Sequence, residues 1–394
     1  MNNTAIFTIV SKNYLAYART LLGSIKDLHP EVDLYLLLVD EVDGKFEPED
    51  EIFQVIEARE IGIPEFTKMS FMYDILEFNT AVKPFFMNYL IDKGYRKTIY
   101  FDPDIMLFRR LDSILDLLDR NSIVLTPHIT RPIPQDEKLP SEREFLTAGT
   151  YNLGFIGIGN DENSRKMVQW WCDRLAESCF SEMETGLFVD QKWINLVPGL
   201  FGSVYIYKNH GCNMAYWNLH ERKLADDLMV NQVEPLIFYH FSGINLNDLN
   251  PISKYQNRYT LRERSDLSSI FELYRDKILS NNFQESRSWD YKYSQYDNGM
   301  VIGPLARRLY STVAKQYPNP FEVGPGSFYE LLEKKGMLEK VAPPQTAQAR
   351  SAVIGKFNKL LKLAIKLLGP NRYADLMRYL RFISVVRRQD FLIK

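Results

Sequence analysis

The chain has 394 residues, 45% of them apolar and 25% charged, with 48 Lys+Arg against 50 Asp+Glu. That composition is ordinary for a globular protein of two or three domains, and a net charge of −2 argues against nucleic-acid binding driven by bulk electrostatics. Three cysteines, Cys172, Cys179 and Cys212, lack CxxC spacing, which argues against a disulfide scaffold or a zinc site and fits a reducing compartment.

Residues 5–10 (Ala-Ile-Phe-Thr-Ile-Val) are too short for a signal-peptide core and read as a first buried strand, ending at Ser11-Lys12-Asn13-Tyr14. Residues 17–28 have helical apolar spacing, 32–39 form a second strand, and 50–57 have helical composition. This strand–helix–strand order is that of βαβ units. A helix is expected over 80–93, with Pro84 tolerable only in its first turn. Residues 98–101 (Thr-Ile-Tyr-Phe) read as a strand and 112–118 as a helix. Four prolines interrupt 127–140, which reads as a loop, either a binding loop or a solvated one. The strand expected at 151–158 contains glycines that allow close backbone approach. An amphipathic helix follows at 164–177, its Trp170 and Trp171 reading as core, and another helical segment opens at 188–195. Residues 236–241 are the last strong strand. Beyond about 250 the strand-like runs give way to helical charged segments at 261–280, 304–315 and 328–338.

Asp102-Pro103-Asp104 follows the 98–101 strand directly. In open α/β sheets ligands bind beyond the carboxyl ends of strands, and side chains at i and i+2 of extended backbone share a face. Pro103 biases Asp102 toward extended geometry. Such an oxygen-rich pair suits Mg²⁺ or Mn²⁺ carrying phosphates, while the triplet alone is equally a turn opener. Lys83 by itself reads as a surface lysine or a phosphate contact, and His240 by itself as a core histidine.

No P-loop, GxGxxG, GxSxG or HExxH motif is present. The ordered set Asp102-Pro103-Asp104, Tyr151-Asn152-Leu153-Gly154, Asp190-Gln191-Lys192-Trp193-Ile194-Asn195 and His240-Phe241-Ser242-Gly243 resembles the GT-A glycosyltransferases, especially the retaining, family-8-like group that uses nucleotide sugars. Thr80-Ala81-Val82-Lys83-Pro84-Phe85-Phe86, Asp297-Asn298-Gly299, Asn319-Pro320-Phe321 and Gly324-Pro325-Gly326-Ser327-Phe328-Tyr329 also resemble a group of bacterial glycosyltransferases.

The resemblance implies a Rossmann-like, mixed but mostly parallel sheet flanked by helices, with a mainly α-helical C-terminal region. The expected organisation is a nucleotide-sugar-binding catalytic domain at 1–248, a helical accessory region at 249–345 and basic amphipathic helices at 346–394. It implies a metal-dependent hexosyltransferase-like enzyme moving a sugar from a nucleoside diphosphate sugar, UDP favoured, to a glycan or lipid-linked saccharide, with retention. Asp102, Asp104 and His240 would hold Mn²⁺ or Mg²⁺. Ser11 and Tyr14 would contact the nucleotide, Lys83 the phosphates, and Asn152 and Asp190 the sugar hydroxyls. Gln191 would sit nearest the anomeric carbon, with Asp190 the candidate nucleophile. Two positions depart from the family pattern. Lys192 replaces an acid in the donor-binding segment, and Ile244-Asn245-Leu246-Asn247 follows Gly243 without the family's Lys-Pro-Trp, so another base must meet the diphosphate or the donor is held differently. A sugar nucleotidyltransferase would carry a Gly-rich loop where this chain has Ser11-Lys12-Asn13-Tyr14, and a non-catalytic nucleotide-sugar or glycan-binding module would share the site without turnover.

From residue 351 onward there are ten Lys+Arg against two Asp+Glu, which leaves the rest of the chain at −10. Val353, Ile354, Phe357, Leu360, Leu361, Ala364, Ile365, Leu367 and Leu368 alternate with Lys356, Lys359, Lys362 and Lys366 at helical spacing. Such a helix either lies on an anionic membrane or docks on its own domain with a solvated lysine face. The cysteine usage and the shortness of the apolar runs read as a cytoplasmic protein, the expected role is in building a bacterial surface polysaccharide or lipid-linked saccharide, and the membrane alternative would hold it at the inner face of the cytoplasmic membrane.

Overall fold

The computed structural model describes residues 3–339 and 347–393. One unit takes in the described residues up to Phe66 together with Ile75–Lys292; the other comprises Thr67–Asp74 and the described chain from Tyr293 onward. The expected start of the accessory region at 249 thus falls inside the first unit.

The first unit is built on a seven-stranded mixed, mostly parallel sheet of order β3-β2-β1-β4-β7-β6-β8. Strand β1 (Thr4–Val10) is buried along its whole length and pairs in parallel with β2 (Asp33–Leu38) on one side and β4 (Lys97–Phe101) on the other. A strand paired on both edges and covered on both faces has to be largely apolar, which is what 5–10 encode apart from the buried Thr8. Helix α1 (Leu15–Leu28) covers the sheet with Leu15, Ala18, Leu21, Leu22 and Ile25, all fully buried. Strand β7 (Tyr151–Gly159) runs antiparallel to β4, with Phe101 opposite Phe155, and antiparallel to β6 (Ile123–Pro127). Edge strand β8 (Val204–Ile206) pairs in parallel with β6. Helix α7 (Glu162–Ser178) buries Trp171 completely, in line with its reading as core, whereas Trp170 is only half-buried, against Trp193 and Phe201.

Several expectations are corrected. Residues 50–57 do not form a helix. Pro48–Asp50 make one tight turn, and Gln54–Glu57 form β3, parallel to the free edge of β2 with Leu36 opposite Val55. The open backbone groups of β2 and the β-branched Val55 and Ile56 outweigh the acidic, helix-like composition. The helix expected over 80–93 is two helices, α3 (Ile75–Ala81) and α4 (Lys83–Asp92), with Pro84 in the first turn of the second. The strand at 236–241 shrinks to β9 (Phe238–His240). It lies outside the main sheet, antiparallel to β5 (Ile105–Leu107). Residues 128–141 carry no helix or strand, and the Ser141–Glu144 capping box then starts α6 (Glu142–Ala148). The expected helix at 261–280 covers only α9 (Ser268–Ser280), whose Ile270, Phe271, Tyr274 and Ile278 belong to the first unit's core.

In the second unit, Phe71 of α2 (Phe66–Met72) is surrounded by the rings of Tyr296, Tyr310, Phe321 and Phe328. The buried Arg307 of α10 (Pro304–Val313) donates to the carbonyls of Phe71 at 2.7 Å, Tyr73 at 2.9 Å and Tyr293 at 2.7 Å. Helix α11 (Phe328–Lys334) starts at a Ser327 cap. The final helix, α12 (Ala347–Ile383), is broken at Gly369, which has φ 73° and precedes Pro370.

Candidate metal centre

Strand β4 delivers Asp102 to its carboxyl end. There the Asp102 amide donates to the Gly154 carbonyl of β7 at 2.8 Å, and the Ile105 amide returns to the Asp102 carbonyl at 3.1 Å. Pro103 sits inside this turn, so Asp102 and Asp104 are held a short, fixed distance apart. The chain then enters β5, where Ile105 pairs with His240, and the Phe241 amide donates to the Asp104 carbonyl at 2.8 Å. These few backbone bonds bring the histidine to the two acids. His240 Nε2 is 2.9 Å from Asp104 Oδ1 and 3.8 Å from Asp102 Oδ2, and one donor atom from each of the three residues lies within 4.8 Å of the others.

The imidazole is fixed from behind. His240 Nδ1 is 3.3 Å from Asn213 Oδ1, and the Asn213 amide nitrogen donates to Thr126 Oγ1 at 2.9 Å and Asn152 Oδ1 at 3.0 Å. With Nδ1 engaged, Nε2 is the atom that faces the carboxylates. Trp217 packs edge-on against the ring at 5.1 Å. Gly154 leaves the space the ring needs, since a Cβ there would lie 2.4 Å from His240 Cε1.

Burial pushes the Asp102 carboxyl above the ordinary carboxylate range, against the pull of Lys83 and His240. At His240 burial works to lower the pKa, but the carboxylates of Asp104 and Asp102 outweigh it and hold the imidazole above its usual value. Tyr100 donates its hydroxyl to Asp102 Oδ1 at 2.5 Å. Two carboxylates and one imidazole, with Nε2 aimed at both acids and the side chains of Asp102 and Asp104 30% and 25% exposed, form a donor set that fits Mn²⁺ or Mg²⁺ with positions left for substrate oxygens.

The three residues line a cleft of about 420 Å³ together with Ser11, Tyr14 and Asn152. Ser11 is buried and accepts a hydrogen bond from Asn79 Nδ2 at 2.9 Å. Tyr14 is 48% exposed and stacks on Tyr17 with ring centroids 4.8 Å apart. Asn13 and Asn79 also line the cleft, and the side-chain oxygen of each is buried without a hydrogen-bond partner. Lys254 and Tyr255 lie on the same cleft wall, with the Lys254 ammonium 5.0 Å from the Tyr255 ring centroid.

Lys83, Asp190, Gln191 and Lys192 are brought near one another but do not line the cleft. Lys83 is 1% exposed, and its ammonium meets Asp190 Oδ2 at 2.5 Å and the Leu153 carbonyl at 3.0 Å. It also lies 4.0 Å above the Tyr100 ring, so the buried pair adjoins the Asp102 hydrogen bond. Burial raises the Asp190 carboxyl above its ordinary range despite Lys83. Gln191, the first residue of α8 (Gln191–Ile194), accepts from the Leu153 amide at 3.0 Å and donates to the Ala148 carbonyl at 3.2 Å. Lys192 donates to the Leu146 carbonyl on α6. Asn213, Trp217 and Lys254 fall in no motif of the sequence, which gave no sign of them.

No family model matches the chain. Two relatives are uncharacterized proteins of Bacillus subtilis (strain 168). YfnF is 24% identical over 295 residues, covering 70% of this chain and 91% of its own length; YfnD is 27% identical over 253 residues, covering 61% and 77%. The chain is similar to solved glycosyltransferases. One is the galactosyltransferase LgtC in complex with donor and acceptor sugar analogues, with 16% identity, TM-score 0.43, and coverage of 70% of this chain and 95% of that one. Another is GlyE of Streptococcus pneumoniae TIGR4, with 16% identity, TM-score 0.43, and coverage of 79% and 73%. At such scores the function has to be read from the side chains of the cleft.

Proposed function

We propose that the chain is a metal-dependent glycosyltransferase that moves a sugar from a nucleoside diphosphate sugar, with UDP favoured, to a glycan or lipid-linked saccharide. The observation that carries this reading is the convergence of Asp102, Asp104 and His240 at a cleft that also holds Ser11, Tyr14 and Asn152. In this reading Asp102, Asp104 and His240 hold Mn²⁺ or Mg²⁺. When bound, the ion supplies positive charge for the diphosphate that leaves.

The chain's own residues do the remaining work. Ser11 and the exposed ring of Tyr14 receive the nucleoside, and the unpartnered oxygens of Asn13 and Asn79 can accept from base N–H or ribose hydroxyl groups. Lys254 is the cleft base that stands in for the missing Lys-Pro-Trp and adds charge at the phosphates. Asn152 offers its amide to donor-sugar hydroxyls. Asp190 and Gln191 act from the layer behind. Asp190 is engaged with Lys83 and is therefore a poor nucleophile, which favours retention by attack from the face the diphosphate leaves, with the diphosphate taking the acceptor proton.

The test is release of UDP from UDP-sugars with Mn²⁺, with and without saccharide acceptors. Asp104→Asn is expected to lower turnover at least 100-fold while the melting temperature stays close to that of the parent. An Asp104→Asn variant that turns over fully without metal would overturn the reading. Donor bound without any UDP release would favour the binding module, and pyrophosphate release from a nucleoside triphosphate the nucleotidyltransferase.

A further inference from the structure

Helix α12 leaves its apolar side open. Of the residues on that side, Ile354, Phe357, Leu360, Ile365 and Leu368 are 58%, 62%, 60%, 41% and 39% exposed. At about 100° per residue, Ile354, Phe357, Leu360, Leu361, Ile365 and Leu368 fall within an arc of about 140°, and Lys356, Lys359, Lys362 and Lys366 fall on the opposite side. The docked alternative would have buried that arc. No described helix is long and apolar enough to cross a membrane.

We infer that residues 354–383 lie flat on a lipid surface that carries anionic headgroups. Charge complementarity selects this occupant: the segment from 351 onward carries ten basic and two acidic side chains, and its lysines lie opposite the apolar arc. An apolar arc about 100° wide or more, flanked by lysines, enters the interface to the depth of the acyl boundary while the ammonium groups stay at the headgroups. The break at Gly369-Pro370 divides the helix into two pieces, each free to follow the plane of the surface. The second piece adds exposed Tyr379 and Phe382 and the basic Arg372, Arg378 and Arg381. A surface binder of this kind holds the cleft near lipid-linked acceptors, but its attachment does not depend on the transfer reaction.

The test is co-sedimentation of the full chain with vesicles of phosphatidylcholine alone or of phosphatidylcholine mixed with phosphatidylglycerol, without donor or metal. The chain is expected to sediment with the mixed vesicles at low salt and to be released at high salt. Lys359→Gln with Lys362→Gln is expected to weaken binding about 25-fold, about fivefold for each charge near the surface. Phe357→Glu with Leu360→Glu is expected to abolish binding with helicity by circular dichroism retained. Three results would overturn the inference: a chain that stays in solution with the mixed vesicles, equal binding to both compositions, or a vesicle-free oligomer that Phe357→Glu with Leu360→Glu converts to monomer. The last would assign the apolar arc to a second copy of the chain.

Discussion

His240 reaches the two acids only because the strand behind it lacks a side chain. A methyl group at position 154 would lie 2.4 Å from Cε1, 2.7 Å from Nδ1 and 2.8 Å from Asn152 Oδ1, so the ring or the asparagine must move. Gly154→Ala is therefore expected to cost about 1–3 kcal/mol of stability and to weaken Mn²⁺ binding about 10–100-fold by titration calorimetry. Unchanged affinity would remove His240 from the centre. The Asp-Pro-Asp triplet was legible because proline and strand-end position are local properties. The partner of Lys83 was not. The family resemblance gave Lys83 to the phosphates and Asp190 to the sugar, and only the fold joins them in a buried pair 107 residues apart in sequence. Asn213 was invisible for the same reason: its left-handed backbone, φ 56°, and its three side-chain contacts are all made with distant segments.

At the scale of elements, apolar runs were read reliably where they are buried on both faces, as in β1, β2, β4 and β7. Short elements were not. Strand β3 has four residues and takes its structure from the open edge of β2, and β5, with three, exists because β9 pairs with it. In the second unit, α2 ends where Arg307 enters. A buried guanidinium donates to the carbonyls at 71, 73 and 293 and so ties the end of α2 to the chain ahead of α10. Arg307→Met keeps most of the side-chain volume and removes every donor, and it is expected to destabilise this unit by about 3 kcal/mol. Hydrogen exchange at the amides of α10 should then accelerate on the order of 100-fold. Unaltered exchange would show that the three carbonyls find other partners.

For the molecule as a whole, the two units give separate reporters. All five tryptophans (Trp170, Trp171, Trp193, Trp217 and Trp289) lie in the unit that contains the cleft. Melting followed by tryptophan fluorescence is expected to shift upward with Mn²⁺ and UDP together more than with either alone, and more than with Mn²⁺ and GDP. A ligand at 100 times its Kd adds about 2.7 kcal/mol to the native state. No shift with any nucleoside diphosphate would remove the donor class. The sequence by itself determined the mostly parallel α/β sheet, the acid pair at a strand end and the basic amphipathic C-terminus, because each is written in periodicity or composition over neighbouring residues. The tertiary structure alone decided that His240 closes on those acids, that Lys83 is held by Asp190, that Lys254 lines the cleft, and that the apolar arc of α12 stays open. Each of these depends on segments far apart in the chain meeting, or failing to meet, and local pattern carries no record of such a meeting.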